Sequence, residues 1–157
     1  MLTIIRDILM NPVFYPVAIT AITSQIIKFL IISFKRRRFL YKVLWYSGGM
    51  PSSHSSVVMS LTTVVALNHP RGVNSLSFAS TLIFALIVMY DAAGVRRSSG
   101  EHAKMLNKFV DAFDSAGDKN FSKRKHLREM PGHTPFEVLV GGVYGVFSAL
   151  LVHRLLG

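Results

Sequence analysis

Cysteine is absent from the 157 residues, which excludes disulfides and thiolate chemistry and leaves the redox compartment open. Acids are scarce too: 8 Asp and Glu stand against 18 Lys and Arg, for a net charge of +10, and one Trp accompanies 11 Phe. Charged residues make up 17%, below the roughly 25% of a typical soluble domain. With so few carboxylates and no two histidines at close helical spacing, no metal cofactor is expected. The positive balance points to an anionic partner. Nucleic acid fits worst, because the basic residues flank apolar runs and form no reading motif. Met1 to Met10 lacks the charged, apolar, then small order of a cleavable signal. It reads instead as an amphipathic lead-in, with Leu2, Ile5 and Leu9 opposing Arg6 and Asp7. Internal repeats and low-complexity tracts are also missing.

What the chain has is apolar length. Half of it is hydrophobic, gathered into four runs: Asn11 to Phe34, Ser52 to Asn68, Val73 to Tyr90 and Phe136 to Val152. A crossing needs about 20 residues, within a range of about 17–25, so the second and fourth sit at the short end. The expected architecture is all-α: a single membrane domain over 1–157, with about four transmembrane helices plus an amphipathic helix at the cytoplasmic face. Lys35, Arg36, Arg37, Arg38 and Lys42 fill the first connection. Arg96, Arg97, Lys104, Lys108, Lys119, Lys123, Arg124, Lys125 and Arg128 fill the last, while the other side holds only Arg6, Arg71 and Arg154. Basic loops stay in the cytoplasm, which puts residues of about 35–51 and 94–133 there and both termini outside. Within the last loop, Ala103, Leu106, Phe109, Val110 and Phe113 follow helical spacing. A helix from Ser98 to Phe113 is expected, opened by a Ser98–Glu101 capping box and lying against the membrane surface or the bundle. Asp114 to Glu129 is a polar connector.

Four polar features interrupt this plan. Gly48-Gly49-Met50-Pro51-Ser52-Ser53-His54-Ser55-Ser56 leads into the second run, where glycines permit tight turning and serines cap a helix start. Free N–H groups at such a start also make an anion site. Asp91-Ala92-Ala93-Gly94-Val95-Arg96-Arg97 closes the third run. Its arginines suit membrane anchoring and phosphate recognition alike, and an intramembrane acid such as Asp91 usually has a partner. Gly132-His133-Thr134-Pro135-Phe136-Glu137 opens the fourth. Thr134, Pro135 and Glu137 form a helix-start signature, which leaves His133 unexplained; four residues apart, Glu137 could orient its imidazole. Gly141 and Gly145 then have the small-xxx-small spacing of close helix contacts, within one chain or in a homo-oligomer. Lys28 lies inside the first run, either snorkelling to the basic end or serving a site.

The expected topology brings these features to one face. Cations, N–H groups, a carboxylate and two histidines are the inventory for phosphoryl transfer without a metal, one histidine as nucleophile and one as acid. His69, His102, His126 and His153 read as surface residues.

At 48–55, 91–97 and 132–138 the sequence resembles a divergent bacterial and plastid membrane family related to type 2 phosphatidic acid phosphatases and vanadium haloperoxidases. The resemblance covers nearly the whole chain. It implies that His54, in place of the histidine of a Pro-Ser-Gly-His motif, protonates the leaving group. It also implies that His133 attacks phosphorus and Glu137 orients it. Ser53 stands where that motif has Gly, and Glu137 where the family has Asp. Lys28 is followed seven residues later by Lys35, with no Arg-Pro, and Arg128 lies five residues before His133. The superfamily core has six helices, two more than the apolar runs here.

The function that follows is hydrolysis of a lipid phosphate or prenyl (di)phosphate in a bacterial cytoplasmic or plastid membrane. Catalysis would fall to His133, His54 and Glu137, and phosphate binding to Lys28, Ser52, Ser53, Arg96 and Arg97, supported by Asp91. Two alternatives stay open: a non-catalytic protein that binds or translocates anionic lipid head groups, and a structural or assembly protein.

Overall fold

The computed structural model describes residues 2–39, 48–115, 126–127, 129 and 132–156. These form six α-helices with no strand among the described residues: α1 (Leu2–Leu9), α2 (Phe14–Arg36), α3 (Ser53–Asn68), α4 (Leu76–Ala93), α5 (Val95–Ser115) and α6 (Pro135–Leu156). Lys42, Lys119, Lys123, Arg124, Lys125 and Arg128, with most of the expected polar connector, lie outside the described residues.

Local chemistry sets the helix ends. The Asn11 side chain accepts the N–H groups of Val13 and Phe14, at 2.9 and 3.2 Å, so α2 begins inside the apolar run rather than at its first residue. At its other end Arg37 adopts φ 49°, and the N–H groups of Arg37 and Arg38 close on Phe34 and Ser33 carbonyls. This satisfies carbonyls that a helix end leaves open. A 3₁₀ turn over Gly72–Asn74 holds Val73, and Ser75 caps α4 by accepting the Phe78 N–H at 3.1 Å. The third apolar run therefore enters its helix at Leu76, three residues later than its hydropathy suggests.

Where the sequence predicts about four spans, three helical runs among the described residues are long and apolar enough to cross a bilayer: Phe14–Arg36, Leu76–Phe113 and Pro135–Leu156. The fourth apolar run, short by its hydropathy, gains length from Pro135 and from its last residues. At 16 residues, α3 reaches about 24 Å, short of a hydrocarbon core of about 30 Å.

Packing is polar inside and apolar outside, as lipid demands. On α2 the buried stripe is Pro16, Thr20, Ser24 and Lys28, one residue every fourth position. Thr20 Oγ1 lies 3.0 Å from Ser60 Oγ and 2.8 Å from Ser148 Oγ, joining α2, α3 and α6 through one hydroxyl. Tyr144 donates to Thr23 Oγ1 at 2.7 Å. On α6, a Cβ at Gly141 or Gly145 would collide with the backbone of Ser52 or Ser56. The two glycines thus let α3 and α6 meet backbone to backbone within one chain. Ile22, Ile26, Ile83, Ile87, Val143 and Phe147 are exposed on the outer surface.

Two details of α5 differ from the sequence reading. It starts at Val95, directly after Gly94, and not at Ser98. The Ser98 N–H donates to the Gly94 carbonyl at 2.9 Å, so Ser98 is already inside a turn and cannot act as an N-cap. Glu101 pairs with Arg97 instead, at 3.2 Å.

Candidate functional site

One end of the bundle gathers the starts of α3 and α6 and the end of α4, with Lys28 on α2 beneath the loop that enters α3. Gly49 at φ 94° lays that loop over α2, where a Cβ would press on Ile32 Cδ1 at 3.0 Å and approach Lys28 Cγ at 3.7 Å. The Ser52 N–H donates to the Glu137 carbonyl at 3.3 Å, and the His133 N–H to the Ala92 carbonyl at 3.1 Å. These two backbone bonds stitch α3 to α6 and α6 to α4.

At the start of α3, Ser52 Oγ accepts the Ser55 N–H at 3.4 Å and the Ser55 hydroxyl at 2.9 Å. First-turn N–H groups have no intrahelical acceptor, and those of Ser53 and His54 find none elsewhere among the described residues. The Ser53 hydroxyl is buried with no partner. The capping that the sequence predicts is therefore real but partial, and the open donors sit at the positive end of the helix dipole. His54 follows, exposed, with the charges of Arg96, Lys28 and Asp91 around it.

The start of α6 bears out the helix-start reading of Thr134–Glu137. Thr134 Oγ1 accepts the Glu137 N–H at 3.3 Å, and Glu137 Oε2 accepts the Thr134 N–H at 2.9 Å, a capping box. That same Oε2 stands 3.4 Å from His133 Nδ1. The contact is electrostatic, since both ring nitrogens of His133 are buried without a hydrogen bond among the described residues. The whole residue is 1% exposed. Burial pushes the His133 pKa below its usual value and the Lys28 charge pushes the same way, while Glu137 pulls it up. Both causes of the lowering favour the neutral imidazole, and Nε2 has no hydrogen-bond partner among the described residues.

Lys28 is 1% exposed, so it does not snorkel to the interface but faces the bundle. No carboxylate lies within 4 Å of it among the described residues, and Glu137 is the acid whose charge it feels. The two arginines are less committed to the cluster. Arg96 pairs with Asp91 at 3.4 Å, next to His54, with both side chains 44% exposed. Arg97 turns to Glu101, and its backbone lies so close to Gly132 that a Cβ there would collide with it. Lys28, Ser52, Ser53, His54, Asp91, Arg96, His133 and Glu137 thus share one end, while the Arg97 side chain stands off it. A cavity of about 330 Å³ beside this end is lined by Arg97, Glu101, Lys104, Glu129, Gly132 and Thr134. A larger one, about 800 Å³, lies along Phe29, Leu30, Phe34, Arg37, Arg38 and Phe39 at the end of α2.

Sequence reasoning misses Asn107. It is 5% exposed on α5. Its amide exchanges two hydrogen bonds with the Leu127 backbone, at 2.8 and 2.9 Å, and donates to Glu129 at 3.0 Å. Its only sequence signal is a helical spacing with Gly100, Lys104 and Asp111, opposite the apolar residues. No group of three metal-binding side chains occurs among the described residues.

Comparison with known proteins identifies relatives of the chain. The model of the divergent PAP2 family matches residues 9–148. Over 141 residues the chain is 41% identical to the "Uncharacterized membrane protein YuiD" of Bacillus subtilis (strain 168), covering 83% of this chain and 87% of that protein. No solved structure matches. The chain belongs to the divergent PAP2 family and is a membrane protein.

Proposed function

From that family membership, we propose that the protein is a metal-independent phosphatase acting on a lipid phosphate or a prenyl (di)phosphate through a phosphohistidine. The observation that carries the reading is His133, fully buried, flanked by Glu137 at Nδ1 and without a partner at Nε2 among the described residues. A buried imidazole with no hydrogen bond is costly and is explained if Nε2 is reserved for a substrate.

The Nε2 lone pair attacks phosphorus and the P–O bond to the lipid breaks. The His54 imidazolium gives its proton to the departing oxygen. His54, now neutral, takes a proton from water, whose oxygen attacks the phosphohistidine; phosphate leaves and Nε2 is regenerated. The Glu137 carboxylate holds the ring and stabilises its positive charge. Lys28 and the open donors of Ser53 and His54 supply charge and hydrogen bonds to the phosphoryl oxygens, with Ser52 ordering that turn. Arg96 joins by leaving Asp91, and Arg97 serves by bracing Gly132. The four-helix core with a surface helix, with α3 immersed among its neighbours, and the crowding of Lys35–Arg38, Arg96, Arg97, Lys104 and Lys108 at the site end support a cytoplasmic-facing site.

The test is phosphate release by purified protein in detergent, with chelator present, from phosphatidate, prenyl phosphates and prenyl diphosphates. Chelator-resistant release is expected, falling at least about 10³-fold in His133→Ala with ligand affinity retained. Equal rates for wild type and variant, both shown to be folded, would overturn the reading in favour of head-group binding or transport.

A further inference from the structure

We infer that the outer face of α5 is a docking surface for an anionic bilayer surface. Helix α5 is amphipathic in a way the bundle does not use. Apart from its junction with α4, it meets no other helix among the described residues. One face carries Gly100, Lys104, Asn107 and Asp111, and the chain returning to α6 is laid along it in the opposite direction. His126 contacts Asp111 at 2.9 Å, Leu127 and Glu129 are held by Asn107, Gly132 lies on Arg97, and His133 reaches Ala92.

The opposite face presents Met105, Leu106 and Phe109, at 60%, 52% and 57% exposure. The returning chain occupies the other side, and no helix of the bundle covers these three. What fits them is set by charge and position. Because α5 leaves α4 at the end of a span, it starts at the level of the head groups. Lys108 borders its apolar face, and Arg36, Arg37 and Arg38 stand at the same end of the bundle. A helix with apolar residues on one side and cations beside them lies in the interface plane of an anionic membrane. Docked this way, α5 presses its apolar face among the acyl chains and carries the returning segment on its other side, facing water. The position of His133 is then referenced to the lipid surface through Asn107, Arg97 and Ala92. None of this requires the site to be catalytic.

The absence of cysteine makes the test direct. Phe109→Cys, Leu106→Cys and Lys104→Cys are each labelled with an environment-sensitive fluorophore and reconstituted in nanodiscs containing lipids brominated along the acyl chain. Labels at 106 and 109 are expected to be quenched roughly two-fold or more above the label at 104 when phosphatidylglycerol is present. The difference should shrink in phosphatidylcholine alone and at high salt. Equal quenching at all three positions in both lipids would overturn the inference. So would an unquenched label at 106 and 109 with energy transfer between copies, which would assign the face to self-association. Two labelling positions on the face guard against one variant failing to fold, and native elution of each in detergent is the check.

Discussion

At the scale of single residues, the site turns on two buried side chains whose charge states oppose each other. Burial and the Lys28 charge hold His133 below its ordinary pKa, and Glu137 partly offsets them. A depressed histidine stays neutral when folded, so the stability it contributes is present above the ordinary value near 6.5 and is lost as pH falls through the lower folded value. The acidic limb of kcat/KM is therefore expected below pH 6.5. Lys28→Met should move that limb up and weaken phosphate binding, while relieving the cost of burying an unpaired ammonium. Glu137→Gln should move it down and lower turnover. Rate measurements from pH 4.5 to 8 on the three proteins check both directions, and limbs that stay in place would remove Lys28 and Glu137 from the surroundings of His133. This arrangement was half legible in the sequence. The spacing of His133 and Glu137 is written there, but the burial that keeps one neutral depends on Ala92, which no local pattern connects to residue 133.

Elements meet through small residues, and the α3–α6 seam is the clearest case. Gly145→Ala would drive a Cβ into the Ser56 carbonyl, forcing the helices apart, whereas a Cβ at Gly142 would meet only the flexible Met89 and Met59 side chains, at 3.3 and 3.5 Å. Overpacking of backbone against backbone costs about 1–3 kcal/mol. Gly145→Ala is expected to lower the Tm clearly and to disturb Ser52 and Ser53, while Gly142→Ala stays near wild type. Thermal unfolding in detergent separates them, and equal Tm values would mean that the seam is looser than described. The glycine spacing was readable in the sequence. Its partner was not, because a pair of glycines does not say whether it awaits the same chain or another. The Ser98–Glu101 signature misled for a similar reason, since α5 begins at once after Gly94 and Ser98 is already inside its first turn.

The whole molecule is organised by the contrast between its two ends, and that contrast was plain in the sequence, where Lys and Arg collect between the runs that become α2 and α3 and again beyond α4. Less visible was how far each helix reaches, because hydropathy gives composition while caps such as Asn11 and Ser75 set length. Helix α3 carries the open donors and His54, yet spans only about 24 Å, so from its far end it falls short of the opposite head groups by nearly 6 Å in a bilayer of ordinary thickness. If lipid reaches the far end of α3 between its neighbours, hydrophobic mismatch acts at the helix that carries His54: thinner membranes match it, and thicker ones must dimple or let water follow the helix down. Activity in nanodiscs is expected to fall as acyl chains lengthen from fourteen to twenty carbons, and rates independent of chain length would show that the neighbouring helices shield α3 from the lipid. Bilayer thickness would then act on this protein as a rheostat.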